Sequence, residues 1–234
     1  MPETLDDLLM TQPPTADRPL LGTIVLVVED SRHACEALRL ICQRSGARIR
    51  RAESIASANR HLCAYRPRIA VVDMGLPDGS GAELIEQLAN ADQRIEGIIA
   101  ISGDEAQKDK AMEAGADIFL EKPLVSVSAF QSVVLSLLPI DMHPQHRLVP
   151  KVDNVVPDPI ALRDDLALAA DLLNAKSDAP TLTYVAAFLS SLGIDAGDSD
   201  LGRLANDVRD LASKGSSAAL TKQITDRIAG LAPV

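Results

Sequence analysis

Short apolar runs rich in β-branched residues alternate with longer helical patterns from Thr23 onward, and this alternation constrains the fold more than any other feature. The runs cover residues 23–28, 48–50, 69–72, 98–101 and 118–120. Strands that alternate with helices indicate βαβ units and a parallel sheet. The sequence therefore predicts an α/β fold over residues 23–138, a flavodoxin-like doubly wound sheet of five parallel strands with five helices.

The residue pattern of single segments refines this prediction. Most of the runs are unbroken and apolar, which is typical of strands covered by helices on both faces. Residues 48–50 alternate Arg, Ile and Arg, which indicates an edge strand with one face in water. Gly46 is placed to end the first helix, and Ser54 is placed to cap the second.

The rest of the chain divides by composition. Residues 1–22 hold four prolines among polar residues and predict a flexible N-terminal extension. Residues 139–157 are Pro-rich with almost no periodicity and predict a linker. Residues 158–234 predict a small all-α C-terminal module for output or oligomerisation. It has four helical segments, the second from Pro180 to Gly193 and the last from Ser216.

Composition limits the functions that we expect. The formal net charge is -10, which argues against DNA as a partner because phosphate contacts need clustered Lys and Arg. No stretch is apolar and long enough to span a membrane. Cys35, Cys42 and Cys63 lack the spacing of a metal site and indicate reduced core thiols, which favours a cytoplasmic protein.

Charged and hydroxyl side chains stand at the ends of the predicted strands. Glu29 and Asp30 follow the first strand, Asp73 the third, Ser102 the fourth and Lys122 the fifth. Ligands of doubly wound sheets bind beyond the carboxyl ends of the strands. We therefore expect these five side chains to lie in one shallow site.

Each residue type suits one task in phosphoryl transfer. The three carboxylates are hard oxygen ligands for Mg²⁺, and the backbone carbonyl of Gly75 could add a fourth. Asp73 can also attack phosphorus as a nucleophile. The ammonium of Lys122 would neutralise charge on the transferring group, and the hydroxyl of Ser102 would donate a hydrogen bond to it.

This pattern resembles the receiver domain of response regulators in two-component signalling. The resemblance covers about half of the chain and rests on Glu29-Asp30, Asp73, Pro77, Gly81, Ser102 and Lys122-Pro123. It implies that Asp73 is the phosphoacceptor and that a histidine kinase or a histidine phosphotransfer protein is the donor. It also implies a protein that catalyses its own phosphotransfer and dephosphorylation only, and is otherwise not an enzyme.

The resemblance also assigns a switch. Ser102 would move towards the phosphoryl group and free space for Phe119, which stands at the position of the family's switch aromatic. Phe119 has no hydroxyl, so it would act through packing alone. The surface formed by the fourth helix, fifth strand and fifth helix would then change, and this surface is the expected homodimer interface.

The sequence leaves open which function residues 158–234 perform. Residues 158–234 contain no histidine and carry seven basic and eleven acidic residues. The leading hypothesis is a phosphorylation-switched protein-interaction module whose C-terminal helices bind a downstream partner. A DNA-binding transcription regulator and a phosphate shuttle or sink without dedicated output are the alternatives. A degenerate receiver that is never phosphorylated is disfavoured, because every element of the chemistry is present. His33 is expected on the surface of the first helix.

Overall fold

A computed structural model of the protein describes residues 13–175 and 178–214, together with 222–223 and 226–227. The chain divides into two compact units. The first holds residues 13–30 and 37–156, and the second holds residues 31–36 and the described residues from 157 onward. Among the described helices, none has both the length and the apolar character needed to cross a membrane.

The first unit is built on a parallel sheet of five strands. The strands are β1 (Ile24–Val28), β2 (Arg48–Ala52), β3 (Ile69–Asp73), β6 (Gly97–Ser102) and β7 (Ile118–Glu121). Their order is β2-β1-β3-β6-β7. This is the order of flavodoxin-like doubly wound sheets, so the predicted fold class is confirmed. Two short strands, β4 (Gly75–Leu76) and β5 (Gly79–Ser80), form a separate antiparallel pair.

Burial follows the sequence pattern strand by strand. Every residue of β1, β3 and β6 is buried, as their unbroken apolar runs predict. β2 lies at one edge of the sheet, and four of its five residues are only partly buried or exposed. The prediction of an edge strand is therefore confirmed. A core cluster between the sheet and its helices includes Leu26, Val72, Leu84, Ile85 and Ile98.

Five helices connect these strands. They are α1 (Arg32–Ser45), α2 (Ile55–Ala64), α3 (Gly81–Ala89), α4 (Lys108–Glu113) and α5 (Val127–Leu137). Gly46 follows α1 with a φ of 85°. The hydroxyl of Ser54 accepts a hydrogen bond from the backbone N–H of Ser57, so both predicted caps are confirmed. A 3₁₀ turn at residues Glu105–Gln107 directly precedes the short helix α4.

The segments that flank the sheet are partly fixed to it. Residues 1–12 of the predicted N-terminal extension lie outside the described residues, and the end of the extension makes contacts with the first unit. Leu20 is fully buried and its backbone N–H donates to the carbonyl of Ser45. Residues 139–157 also make contacts with the first unit, through residues 147–155. Their role as a linker, and the other predicted domain boundaries, stay predictions.

The second unit is helical, as predicted. Its helices are α6 (Pro159–Ala175), α7 (Ala179–Ala196) and α8 (Ser199–Lys214). They share an aliphatic core that includes Leu166, Leu173, Val185, Leu189 and Val208. The carboxylate of Asp158 accepts a hydrogen bond from the N–H of Ile160 and caps α6.

The predicted end of the second of these helices was wrong. α7 continues past Gly193 and ends at Gly197, which has a left-handed φ of 64°. A Cβ added at Gly193 would lie 3.0 Å from the carbonyl oxygen of Asp198 and 3.1 Å from the Cβ of Leu201. Gly193 therefore permits close packing against the next helix. Most of the predicted fourth helix, from Ser216, lies outside the described residues.

A buried aspartate of α6 holds residues 31–33, which also belong to the second unit. Asp165 is 1% exposed and accepts hydrogen bonds from the hydroxyl of Ser31 and the backbone N–H groups of Arg32 and His33, each 2.9 Å long. His33 is 7% exposed, so its predicted surface position was wrong.

The three cysteines differ in burial. Cys35 and Cys42 are buried and are core thiols as predicted, whereas Cys63 is exposed and is not.

Candidate functional site

The fold brings the predicted charged residues to one edge of the sheet. Glu29 and Asp30 directly follow β1, Asp73 is the last residue of β3, and Lys122 directly follows β7. Oxygen atoms of the three carboxylates all lie within 4.8 Å of one another, which suits the ligand atoms of a single metal ion. Ser102 is the last residue of β6, the strand that neighbours β3.

Lys122 joins two of these carboxylates. Its Nζ atom lies 2.7 Å from Oε2 of Glu29 and 3.3 Å from Oδ2 of Asp73. The side chain of Lys122 is 1% exposed, so the ion pairs are shielded from solvent. One ammonium among three carboxylates leaves the cluster with an excess of negative charge. A bound cation would balance this excess, and the geometry of the oxygens allows one.

The pKa of the Asp73 carboxyl is strongly shifted by this setting. Burial raises the pKa of Asp73 well above its usual range, and the charge of Glu29 raises it further. Lys122 opposes both effects, and Asp30 adds a smaller upward contribution. A cation next to the three carboxylates would favour the ionised form of Asp73, which is the form that can act as a nucleophile.

The two predicted switch residues lie on neighbouring strands. Ser102 is 8% exposed, and its Oγ accepts a hydrogen bond from the N–H of Asp104. Phe119 lies in β7 and is partly buried against the core of the first unit. Gly75 is exposed in β4, two residues after Asp73. The roles of these three residues stay predictions.

The loop after Asp73 is closely packed against it. Gly81 begins α3, and its N–H donates to the carbonyl of Met74. A Cβ added at Gly81 would lie 2.0 Å from the backbone carbonyl oxygen of Asp73. No side chain fits in that space, because real Cβ contacts are never so short. The glycine is therefore required for the loop to turn back beside Asp73.

Two contacts that the sequence does not signal hold this loop in place. The carboxylate of Asp78 accepts hydrogen bonds from the N–H groups of Ile55 and Ala56, both 2.9 Å long. The ammonium of Lys110 donates to the hydroxyl of Ser80 over 3.0 Å. Both contacts join residues far apart in the chain, and no local pattern signals them.

The sequence of this unit matches a known family. Residues 25–133 match the family model described as response regulator receiver domain. These residues belong to that family. The receiver domain thus includes the acidic pair after β1, the aspartate that ends β3 and the lysine after β7, and the predicted resemblance is confirmed.

Curated relatives of the receiver domain include transcriptional regulators. KDP operon transcriptional regulatory protein KdpE of Escherichia coli K12 is 33% identical over 101 residues, which are 43% of this chain and 45% of that protein. Virulence transcriptional regulatory protein PhoP of Salmonella typhimurium 14028s is 35% identical over 101 residues, 42% of this chain and 45% of that protein. The chain thus spans about half the length of these relatives. Their names do not support the expectation that DNA is an unlikely partner.

Solved structures similar to this chain include other receivers. The signal receiver domain of a signal transduction histidine kinase from Syntrophus aciditrophicus is 27% identical with a TM-score of 0.46, and covers 50% of this chain and 89% of that one. Response regulator TrrA from Thermotoga maritima, solved with Mg²⁺-BeF, is 23% identical with a TM-score of 0.45, and covers 50% of this chain and 99% of that one.

Proposed function

We propose that the protein is a response regulator of a two-component phosphorelay in which Asp73 accepts a phosphoryl group from a phosphohistidine donor. The donor would be a histidine kinase or a histidine phosphotransfer protein. The observation that carries the proposal is the cluster of Glu29, Asp30 and Asp73 with Lys122 between two of its members, inside a receiver domain.

The transfer exchanges one bond to phosphorus for another. A carboxylate oxygen of Asp73 attacks the phosphorus atom, the bond from phosphorus to the imidazole nitrogen of the donor breaks, and that nitrogen keeps the electron pair. The product on this chain is an acyl phosphate. Lys122 stays next to the acceptor oxygen and stabilises the charge on the transferring group, which is the main contribution a protein makes to this chemistry.

Magnesium fits this site by the nature of its donors. Glu29, Asp30 and Asp73 would hold the ion through carboxylate oxygens, and the carbonyl of Gly75 would contribute a further oxygen. The bound ion supplies positive charge that offsets the repulsion between the incoming phosphoryl group and the carboxylates. Hydrolysis of the acyl phosphate would return the chain to its starting state, so the protein acts on no substrate other than its own phosphoryl group.

Phosphorylation would switch interactions of the chain. A phosphoryl group adds nearly two negative charges and strong acceptor oxygens at Asp73. Ser102 would turn its hydroxyl towards them and Phe119 would repack, which biases the unit between two conformations. The face formed by α4, β7 and α5 would serve as a homodimer interface, and the C-terminal helices would bind a downstream protein. We place the protein in the cytoplasm, where free thiols such as Cys63 stay reduced.

Incubation with acetyl phosphate and Mg²⁺ tests this proposal, with intact mass and sedimentation as the two readouts. We expect an adduct of one phosphoryl group on the wild-type chain, none on Asp73→Asn, and a shift of the phosphorylated protein towards a dimer. Absence of an adduct would refute the phosphoacceptor role. An adduct without a change in sedimentation would refute only the dimer.

A transcription regulator is the second candidate, because the curated relatives carry that function in their names. Retention of the phosphorylated protein on immobilised DNA at low salt, with release as salt rises, would favour it. Absence of retention at low salt would leave the protein-interaction module as the output.

A further inference from the structure

Residues 147–155, here called the strap, pair with the chain that leads into α5. The N–H of Val127 donates to the carbonyl of Asp153, and the N–H of Val155 donates to the carbonyl of Val125, each over 2.9 Å. These two bonds form a short antiparallel ladder. Val155 is 3% exposed, so the ladder also buries an apolar side chain.

The side chain of Asp153 strengthens the ladder. Its carboxylate accepts hydrogen bonds from the hydroxyl of Ser126 at 2.6 Å and from the backbone N–H of Ser128 at 2.7 Å. Both donors belong to the start of α5, where unpaired N–H groups favour an anion. These bonds lower the pKa of Asp153, so the carboxylate is ionised at neutral pH.

Two arginines fix the rest of the strap. Arg44, near the end of α1, donates to the carbonyls of Val152 and Asn154 over 3.3 and 3.2 Å. Arg147 donates to the hydroxyl of Ser132 over 2.9 Å and to the carbonyl of Ser128 over 3.3 Å. The strap is therefore bound to α1 and to α5 within the first unit.

The strap lies a short distance along the chain from the acceptor site. Lys122 contacts Asp73 and Glu29 at its ammonium end. Val125, which pairs with the strap, is three residues later and so at most about 10 Å of chain away. A shift of the backbone at Lys122 therefore reaches the ladder through very few bonds.

We propose that the strap senses the phosphorylation state of Asp73 and passes it to the chain that continues at Val156. The inference rests on the proposed function. When a phosphoryl group is attached to Asp73, Lys122 exchanges its contact with the bare carboxylate for contacts with phosphoryl oxygens. The residues that follow Lys122 are drawn towards the site, and the ladder with Asp153 and Val155 loosens.

Linkage makes the coupling reciprocal. If phosphorylation loosens the ladder, a chain whose ladder is already weakened must favour the phosphorylated conformation, by a factor that reaches the full coupling when the ladder is completely open. Removal of the carboxylate of Asp153 should therefore tighten the binding of a phosphoryl mimic at Asp73, although the two residues share no contact. A strap that serves only to hold the chain in place would not produce this effect.

Hydrogen exchange of the full-length protein tests the coupling directly. Beryllofluoride with Mg²⁺ is the probe, and the exchange protection of the Val127 and Val155 amides is compared with and without it. We expect protection to fall by about fivefold or more, the lower end of allosteric couplings. Unchanged protection, with bound beryllofluoride visible by fluorine NMR, would overturn the inference and leave the proposed function intact. No bound fluorine signal would refute the phosphoacceptor site itself, and the inference with it.

The affinity of variants for beryllofluoride provides a second test of the coupling. Asp153→Ala should bind beryllofluoride more tightly than the wild type, by up to the factor with which beryllofluoride lowers the exchange protection. Asp153→Asn keeps one acceptor oxygen and should show a smaller change, and it replaces the alanine variant if that one does not fold. Asp141→Ala, an exposed acidic residue before the strap, is the matched control and should bind like the wild type. Wild-type affinity in both Asp153 variants would overturn the inference.

Discussion

Replacement of Lys122 by methionine should destabilise the receiver unless a cation replaces the lost charge. The ammonium lies 2.7 Å from Glu29 and 3.3 Å from Asp73. At an effective dielectric constant of about 20, the two attractions amount to about 6 and about 5 kcal/mol. Burial of the ammonium itself costs several kcal/mol, which offsets part of this sum. We therefore expect a net loss of about 3–5 kcal/mol in the free energy of unfolding.

The loss of stability in Lys122→Met should depend on pH and on Mg²⁺, and this dependence identifies its cause. Without Lys122, the pKa of the Asp73 carboxyl rises further, since this lysine is what lowers it. The carboxyls then take up a proton more readily, so the difference between variant and wild type should shrink as the pH falls. Saturating Mg²⁺ should stabilise Lys122→Met more than the wild type, because the variant has the greater excess of negative charge.

Urea unfolding of Lys122→Met and wild type, with and without Mg²⁺, measures these differences. Lys108→Met removes an exposed lysine of α4 and is the control, with an expected change within about 0.5 kcal/mol. Equal unfolding midpoints for Lys122→Met and wild type in the absence of metal would refute this prediction, because they would show that the ion pairs of Lys122 do not stabilise the fold.

Four further predictions follow from single residues. Asp73→Asn should unfold at higher urea than the wild type without metal, because it removes one charge from an acidic cluster. Asp78→Ala should cost about 0.5–2 kcal/mol of unfolding free energy and slow phosphorylation, since it removes the carboxylate that accepts hydrogen bonds from the first two N–H groups of α2. Gly81→Ala should lower the urea midpoint and the phosphorylation rate together, because its Cβ overlaps the acceptor backbone. Burial lowers the pKa of His33 below its usual 6.5, so stability should fall as the pH drops below about 6.5, and His33→Gln should flatten this fall in a pH series of unfolding curves.

Much of the sheet and of the carboxylate cluster could be predicted because their signals are local. The apolar run of β3 and the acidic residue that ends it stand side by side in the sequence, and strand order then brings Asp73 to Glu29 and Lys122. Ser54 and Gly46 signal their caps through residues within one turn. In each case the chemistry needed for the prediction lies in a few consecutive residues.

The contacts that escaped prediction join distant parts of the chain. Asp153 caps α5 from a segment that reads as a linker, and Asp165 binds residues 31–33 from more than 130 positions away. Gly193 carries the sequence signal of a helix end, yet the close approach of Asp198 and Leu201 makes it a packing glycine. Hydrogen bonds and packing across such distances depend on the folded arrangement, which periodicity and composition do not contain.

Direct mapping of the acyl phosphate tests the central claim. The protein is phosphorylated with acetyl phosphate and Mg²⁺, reduced with borohydride and digested, and the peptide that contains residues 69–81 is sequenced by mass spectrometry. Borohydride reduces an aspartyl phosphate to homoserine, so we expect homoserine at position 73 and unmodified Asp78 in the same peptide. Homoserine at another position, or a peptide without any homoserine, would contradict the assignment of Asp73 as the phosphoacceptor.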